Sequence, residues 1–374
     1  MRWDIFCRVV DNFGDAGVAW RLARQLRAEW GAEVRLVLDQ VSVLARLDHR
    51  VEPEAVLQEV GGITVVAWGH PLGAAADVVV ETFGCEVPDP YLSAMAGRSP
   101  VPVWVNLEYL SAEPWVEGCH RLPSPHSRHG LSRHFFFPGF TRRTGGLLRE
   151  TGLLAARDAF RQSEAARERF CSTLALPSPA ADARFVTLFG YDTVQVHDLL
   201  EVWTRASRPV YCVVPEGTPL AARVACHLGR DPLGRIHEAG ALTLAWIPFR
   251  DQMGYDELLW GADCNFVRGE DSFVRAQWAA RPLVWHIYPQ SENAHRIKLD
   301  AFLAHYLDGL APELAARYRA LFLAWNGVGD MGVAWNGLEK DWPLLETHVH
   351  AWADRLAAMP DLAHNLVEFV EKSL

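Results

Sequence analysis

The hydrophobic positions in the first half of the chain follow two alternating patterns. Short continuous runs of Val, Ile and Leu are typical of strands buried on both faces. Segments with an apolar residue every three or four positions are typical of helices packed on one side. Their alternation predicts a parallel sheet covered by helices on both faces. The predicted strands are 3–10, 33–39, 64–68, 77–82, 101–107 and 135–137, and the predicted helices are 19–30, 41–47 and 91–97.

The second half of the chain repeats this alternation after a charged helical segment at about 154–174. The segment 141–146, rich in Thr, Arg and Gly, is predicted to be a mobile loop, and the tail from about residue 294 is predicted to be helical. The predicted strands are 185–189, 210–214, 242–247, 264–267 and 283–287, and the predicted helices are 194–206 and 251–260.

We therefore predict an α/β protein with two Rossmann-like domains, residues 1–153 and 184–357, and a helical linker, 154–183. The C-terminal helix, about 358–374, is predicted to complete the first domain. Two facing Rossmann-like domains with a central cleft form the GT-B glycosyltransferase architecture. Fold analogy alone does not establish a function, so the chemistry must come from particular residues.

Composition narrows the class of protein. A length of 374 residues suits two domains, and half of the residues are hydrophobic. No apolar run reaches the roughly 18 residues of a membrane span, and the N-terminus lacks the charged and apolar regions of a signal peptide. The seven cysteines are scattered without a C-x-x-C pair, which indicates reduced, mostly buried thiols. We expect a cytoplasmic protein that does not engage membranes.

The net charge of −10 argues against a nucleic-acid-binding surface, because phosphate backbones require clustered Lys and Arg. It is compatible with a basic protein partner or a small substrate. Most of the fifteen tryptophans are expected in the cores.

An acidic glycine turn lies between the first strand and the first helix. It carries Asp11, Phe13, Gly14, Asp15 and Gly17, with Phe13 expected to be exposed. Two carboxylates are the wrong charge for a phosphate cradle, and the G-x-G-x-x-G fingerprint is absent. They suit a cationic or proton-donating group at the carboxyl end of a strand. The alternative, that either aspartate only caps the helix, stays open.

A second strand-to-helix turn, in the second half, runs through Arg268, Gly269, Glu270, Asp271 and Ser272. Asp271 or Ser272 is the predicted helix N-cap. The free N–H groups of a first helical turn bind anions, and an arginine adds a charge-assisted contact, so the turn could hold a diphosphate. The alternative is a local ion pair of Arg268 with Glu270 beside a simple serine cap.

Aromatic and amide side chains follow several strands of the second half. They can stack on a nucleobase and bind its polar edge, although core packing is the alternative for each aromatic alone. These residues are Phe189, Tyr191, Phe249, Gln252 and Tyr288.

Common motifs for metal binding, nucleotide binding and nucleophilic catalysis are missing from the sequence. It has no D-x-D, H-E-x-x-H, Walker A or G-x-S-x-G pattern. The pairs His126 with His129 and His348 with His350 lack a matching ligand set. A reaction without metal or other cofactor is therefore predicted.

Four separated stretches make the chain resemble the EarP family, the protein-arginine rhamnosyltransferases that modify elongation factor P. The first is Asp11-Asn12-Phe13-Gly14-Asp15-Ala16-Gly17-Val18 with 20–26. The second is Gly139-Phe140-Thr141 with 144–150. The others are 268–277, Arg-Gly-Glu-Asp-Ser-Phe-Val-Arg-Ala-Gln, and 285–290, Trp-His-Ile-Tyr-Pro-Gln.

This resemblance implies a GT-B fold, dTDP-β-L-rhamnose as donor, an arginine of elongation factor P as acceptor, and inversion at the anomeric carbon. It implies that Asp11 and Asp15 are catalytic acids and that Glu270 is an essential glutamate. By position it assigns diphosphate contacts to Tyr191, Arg268, Asp271 and Ser272, and the base and deoxyribose pocket to Phe189, Phe249, Gln252 and Tyr288. Phe13 and Gly14 are also expected to contact the donor.

An arginine acceptor would explain the paired aspartates. A guanidinium has a pKa above about 12, so it needs a carboxylate to orient it and remove a proton. Asp15 is the first choice for this base and Asp11 for orientation. Two other functions stay open: a GT-B glycosyltransferase with another nucleotide sugar or a small-molecule acceptor, and a non-catalytic protein that binds a nucleotide sugar.

Overall fold

The computed structural model describes the whole chain except Asn12, Ala175, Ser178, Gln195, 230–234, 291–293 and Leu374. The chain divides into two compact units. Unit 1 consists of Met1–Thr151 and Leu356–Leu374, and unit 2 of Gly152–Arg355. The segment 154–183 belongs to unit 2.

Unit 1 is built on an eight-stranded sheet in the order β3-β4-β2-β1-β5-β6-β8-β7. Its central strands pair in parallel, and an antiparallel pair closes each edge. The strands are β1 Arg2–Cys7, β2 Glu33–Leu38, β3 Leu57–Val60, β4 Ile63–Ala67, β5 Val78–Thr82, β6 Val103–Leu107, β7 Pro123–His126 and β8 Leu131–Phe136.

Unit 2 contains a six-stranded sheet in the order β11-β12-β10-β9-β13-β14, parallel except for β11. The order of the first six strands of unit 1 is the same. The strands are β9 Arg184–Leu188, β10 Val210–Pro215, β11 Ile236–Ala239, β12 Leu242–Ile247, β13 Cys264–Arg268 and β14 Leu283–His286.

Helices follow most of the parallel strands, and five form the C-terminal tail. They are α1 Phe13–Trp30, α2 Val41–Leu47, α3 Asp89–Ala96, α4 Val116–Cys119, α5 Leu153–Gln162, α6 Glu164–Thr173, α7 Val196–Thr204, α8 Pro219–Leu228, α9 Gln252–Gly261, α10 Asp271–Ala279, α11 Ala294–Tyr306, α12 Pro312–Trp325, α13 Met331–Asn336, α14 Trp342–Ala357 and α15 Leu362–Ser373. Among the described residues, none of the helices has the length and apolarity needed to cross a membrane.

The predicted central strands are all present, because continuous apolar runs place both faces of a strand in a core. The strands β3, β7 and β11 were not predicted. Each has four residues, pairs antiparallel at a sheet edge and is mostly exposed or half-buried, so the hydrophobic signal is weak. Helix α8 was also missed.

The sequence predicted that α1 begins at residue 19, but the helix begins at Phe13. The prediction relied on apolar spacing, and the first turn of α1 lacks this spacing because it carries Gly14 and Asp15. Phe13 is 7% exposed, so the expectation of an exposed ring was wrong.

The predicted mobile loop, 141–146, is a hydrogen-bonded turn. The Thr144 hydroxyl donates to Thr141 O at 2.8 Å, and Gly145 N–H donates to Phe137 O at 2.7 Å. A Cβ on Gly145 would lie 2.6 Å from the Phe136 ring, and one on Gly146 would lie 2.6 Å from Pro360 O. Within unit 1, Gly146 therefore allows the turn to pack closely against the segment that precedes α15, and Gly145 allows it to pack against Phe136.

Candidate functional site

The acidic turn of unit 1 is organised by Asp15, which lies in the first turn of α1 and is 1% exposed. Its Oδ2 accepts hydrogen bonds from the backbone N–H of Val10 at 2.7 Å and of Asp11 at 2.8 Å. The carboxylate therefore holds the chain segment between β1 and α1. Asp11 and Asp15 are brought together through the Asp11 backbone.

Burial raises the pKa of Asp15 above its ordinary 3.8. The backbone N–H groups of Asp11 and Val10 and the nearby Tyr109 hydroxyl oppose this rise, and the negative charge of Asp39 adds to it. Asp15 Oδ1 is buried and has no hydrogen-bond partner among the described residues. The side chain thus combines a raised proton affinity with one unused acceptor atom, as a general base requires.

The other residues predicted on this turn have distinct surroundings. Asp11 is half-buried, and its carbonyl accepts a hydrogen bond from Gly14 N–H at 2.8 Å. The Phe13 ring lies under the Arg46 guanidinium, with the Arg46 Cζ 4.8 Å from the ring centroid. Phe13 therefore packs beside the turn and makes a cation–π contact with Arg46.

A second turn at the same edge of this sheet was missed by the sequence analysis. Strand β5 neighbours β1 and is followed by Phe83, Gly84 and Glu86, all with positive φ. The Phe83 ring stacks on Tyr109, with centroids 4.3 Å apart. Left-handed backbone at non-glycine residues stores strain and is common at functional sites. The Phe-Gly pair directly after an apolar strand was the available signal.

The corresponding feature of unit 2 is Arg268, at the carboxyl end of β13. Its guanidinium carbon lies 4.9 Å from the Phe189 ring centroid and 4.5 Å from the Tyr191 ring centroid. The side chain is 8% exposed. Two aromatic faces thus hold one cation beside the start of α10, where backbone N–H groups also attract an anion.

The turn after β13 differs from the predicted cap. The N-cap of α10 is Glu270, which makes no side-chain capping hydrogen bond, so the expected cap at Asp271 or Ser272 was wrong. The Ser272 hydroxyl turns back, accepts from Arg268 N–H at 3.1 Å and donates to Arg268 O. Gly269 has φ +59°, and its carbonyl accepts from the Trp285 indole at 2.9 Å. The Ser272 hydroxyl and the Trp285 indole thus both fix the backbone of the turn.

His286, at the end of β14, was not among the predicted site residues. Its Nδ1 accepts the Tyr191 N–H at 3.1 Å, and its ring lies 5.1 Å from the Tyr191 ring. Burial, with smaller contributions from Arg268 and His295, lowers the pKa of His286 from 6.5 to about 3. A neutral histidine thus positions Tyr191, whose ring also meets Tyr288 at 5.4 Å.

The remaining predicted residues of unit 2 follow the same sheet edge. The Gln252 amide donates a long hydrogen bond, 3.5 Å, to Asp271 Oδ2, which links the starts of α9 and α10. Deeper between these helices, Arg275 and Asp256 form a buried ion pair with N···O distances of 2.9 and 2.6 Å. Phe249 is half-buried and follows β12. These contacts join α9 to α10, the helix that follows the turn of Arg268.

Among the residues that the structure describes, no group of three or more His, Cys, Asp or Glu is placed to hold a metal ion. His126 and His129 stack on each other, with centroids 5.4 Å apart, and His129 Nε2 lies 3.5 Å from Asp89 Oδ1.

Comparison with known proteins identifies the family of this chain. Residues 3–371 match the family described as EarP, the elongation factor P (EF-P) rhamnosyltransferase. The chain is 48% identical over 377 residues to a protein-arginine rhamnosyltransferase of Pseudomonas putida, with 100% of this chain and 99% of the relative covered. A protein of the same name from Neisseria meningitidis is 38% identical over 387 residues, with 98% and 96% covered.

Solved structures show the same fold. A structure described as the basis for EarP-mediated arginine glycosylation of translation elongation factor EF-P matches with a TM-score of 0.72 and 37% identity. It covers 100% of this chain and 99% of that one. Acinetobacter baumannii MurG matches with a TM-score of 0.50 at 14% identity, which concerns the fold alone. The chain has the fold of the GT-B glycosyltransferases, belongs to the EarP family and is a protein-arginine rhamnosyltransferase.

Proposed function

We propose that this protein transfers L-rhamnose from dTDP-β-L-rhamnose to an arginine of elongation factor P, with inversion at the anomeric carbon. The name of its family and the solved relative concern EF-P, which supports the choice of acceptor. What most supports the chemistry is Asp15, a buried carboxylate of raised pKa on an acidic turn. An elongation factor as substrate also implies a cytoplasmic enzyme.

In this mechanism Asp15 is the general base. A protonated guanidinium is a poor nucleophile, because its electrons are delocalised and all of its nitrogens carry protons. Asp15 Oδ1 accepts a proton from one of these nitrogens as that nitrogen attacks the sugar carbon. Oδ1 is covered in the free protein, so its surroundings must move when the acceptor binds. Asp11, which is half-buried, orients the guanidinium by a charge-assisted hydrogen bond.

The diphosphate leaving group is assigned to the turn after β13. Arg268, the Ser272 hydroxyl and the first N–H groups of α10 neutralise the charge that develops as the sugar–oxygen bond breaks. Tyr191 and the backbone N–H of Asp271, the first residue of α10, complete this set, while the Asp271 carboxylate accepts from the Gln252 amide. Phe189, Phe249, Gln252 and Tyr288 are assigned to the thymine and deoxyribose, since their aromatic and amide groups can stack on and hydrogen-bond to a base.

Glu270 is the third proposed catalytic residue. It occupies the N-cap of α10, directly between Gly269 and Asp271, and is half-buried. A carboxylate there is not needed for capping, because it makes no capping hydrogen bond. We assign it to the sugar and its developing positive charge, with Phe13 and Gly14 as further donor contacts.

The decisive experiment is intact-mass analysis of elongation factor P after incubation with the protein and dTDP-β-L-rhamnose. We expect a mass increase of one deoxyhexose on one arginine, and an NMR coupling that identifies the α-anomer. Binding of the donor without any mass increase would show a nucleotide-sugar-binding protein. Equal turnover with another nucleotide sugar would show a different donor.

A further inference from the structure

Unit 1 contains a second feature that the transfer reaction does not use, a cavity of about 470 Å³ lined by three arginines. It lies between the second half of α1 and the turn that joins β3 to β4. The acidic turn follows the carboxyl end of β1, and α1 then runs back along the sheet. The cavity is therefore at the opposite, amino-terminal edge of the parallel strands, about 18 Å along the helix from Asp15 to Arg27.

Arg24 is the central cation of this cavity. Its side chain is half-buried and makes no hydrogen bond or ion pair with any described residue. Burial lowers the pKa of Arg24, and the positive charge of Arg21 lowers it further. The negative charges of Glu150 and Asp48 oppose this lowering. A partly desolvated guanidinium in a cavity without an acidic lining residue would still be stabilised further by a bound anion.

Arg27 and Arg50 flank Arg24 against a pair of glycines. A Cβ on Gly62 would lie 2.9 Å from Arg27 Nε, and a Cβ on Gly61 would lie 3.5 Å from Arg50 Nη1. Both glycines have positive φ. The turn between β3 and β4 therefore lies directly against two guanidinium groups, which holds them at the cavity.

Arg27 has N–H groups that could bind an anion. Its hydrogen bonds within the described part of the chain are two long ones, both 3.5 Å, from Nη1 to the carbonyls of Gly31 and Ala32. Arg50 is paired with Asp48 through contacts of 2.9 and 2.6 Å, so one of the three positive charges is offset. No lining residue of the cavity is acidic.

We propose that this cavity is a binding site for a small anion that carries two or more phosphate groups. Guanidinium forks bind phosphate oxygens with two hydrogen bonds each, and three of them around one concave space suit a polyphosphate rather than a single carboxylate. Its volume exceeds what one phosphate fills. The site is in unit 1, whereas Arg268 is in unit 2, so the two anion sites use different residues.

The test is a calorimetric titration of the full-length protein with inorganic pyrophosphate at low ionic strength. We expect two sites. The variant Arg24→Gln with Arg27→Gln should weaken one of them by about tenfold or more, as the loss of charge-assisted hydrogen bonds predicts. The same site should persist in Arg268→Ala. The matched control is Arg205→Gln, at an exposed arginine of unit 2, and it should change neither site.

Three results would overturn the proposal. One is unchanged pyrophosphate binding in the Arg24→Gln, Arg27→Gln variant. Another is a single site that Arg268→Ala abolishes. The third is tighter binding of a poly-glutamate peptide than of pyrophosphate, which would indicate a surface for an acidic protein. If the first variant does not fold, Arg27→Gln with Arg50→Gln changes two exposed side chains instead and must weaken the same site.

Discussion

In unit 1, β1 leads into α1 through a turn whose buried charge is Asp15, and the neighbouring strand β5 is followed by Phe83 and Gly84. In unit 2 the strands β9 and β13 hold the positions of β1 and β5, but the charged turn follows β13 and the Phe-Gly turn follows β9. Strand β9 is followed by Phe189 and Gly190, and β13 leads into α10 through the turn of Arg268.

The two units share the order of six strands, so sheet topology does not decide which turn carries the charge. The side chains decide it. In unit 1 the burial of a carboxylate raises its affinity for a proton, whereas in unit 2 the aromatic faces around Arg268 stabilise a cation. One architecture thus holds a buried carboxylate in one unit and a buried guanidinium in the other.

The largest effect should come from removing the proton acceptor. Asp15→Asn keeps the shape of the side chain and an oxygen for the Val10 and Asp11 N–H groups, but it removes the base. We expect rhamnosyl transfer to fall by about 10²–10⁴-fold, with dTDP affinity nearly unchanged. Transfer is measured by intact mass and dTDP affinity by calorimetry. Asp308→Asn, at an exposed aspartate, is the control. Full turnover by Asp15→Asn would remove this residue from the mechanism.

Removing the Arg268 guanidinium should weaken dTDP binding more than it destabilises the fold. Arg268→Ala is expected to weaken dTDP binding by about 10–100-fold, because a charged hydrogen bond to phosphate contributes roughly 1.5–3 kcal/mol. Arg268→Lys should recover only part of this loss, since an ammonium lacks the planar fork. Calorimetric titration with dTDP measures both variants. Wild-type affinity in Arg268→Ala would contradict the assignment.

The pH dependence of transfer sharpens the comparison. A carboxylate is a base only when deprotonated, and the pKa of Asp15 is raised from 3.8, so kcat/KM should fall as the pH falls through this raised value, by up to about tenfold per pH unit. Asp39→Asn removes a negative charge that raises the Asp15 pKa, and it should move the acid limb to lower pH. An acid limb that does not move in Asp39→Asn would show that another group controls it.

His286 should give a smaller effect, on stability. Its pKa falls from 6.5 to about 3 on folding, so the unfolded chain binds more protons between these values. The stability it contributes is complete above 6.5 and is lost as the pH falls toward 3, by at most about 1.4 kcal/mol per pH unit. His286→Asn should flatten the dependence of the unfolding midpoint on pH between 4 and 6. His364→Asn, at an exposed histidine, should not.

Metal removal should have the smallest effect. If Arg268 and the start of α10 carry the diphosphate charge, turnover after treatment with EDTA should equal that of the untreated enzyme. Restoration of lost activity by added Mg²⁺ would show that a cation shares this task.

Most of the fold could be predicted from the sequence, because the parallel strands are short buried runs rich in Val, Ile and Leu, such as Val78, Val79 and Val80 in β5. The short edge strand Pro123–His126 could not, since exposed residues with two prolines have no strand periodicity. The first turn of α1 was lost for a similar reason: Gly14 and Asp15 do not continue the apolar spacing. The role of Asp15 depends on the backbone N–H groups of Val10 and Asp11 that its carboxylate binds.

The sequence alone determined the two α/β halves, the acidic turn, the turn of Arg268 and the family resemblance, because these are local patterns of residue type. Only the tertiary structure decided which groups lose contact with water and which come together. The raised pKa of Asp15, the neutral His286 beside Tyr191 and the arginine cavity all join residues far apart in the chain. Burial and charge interactions depend on distances in space, which residue order does not specify.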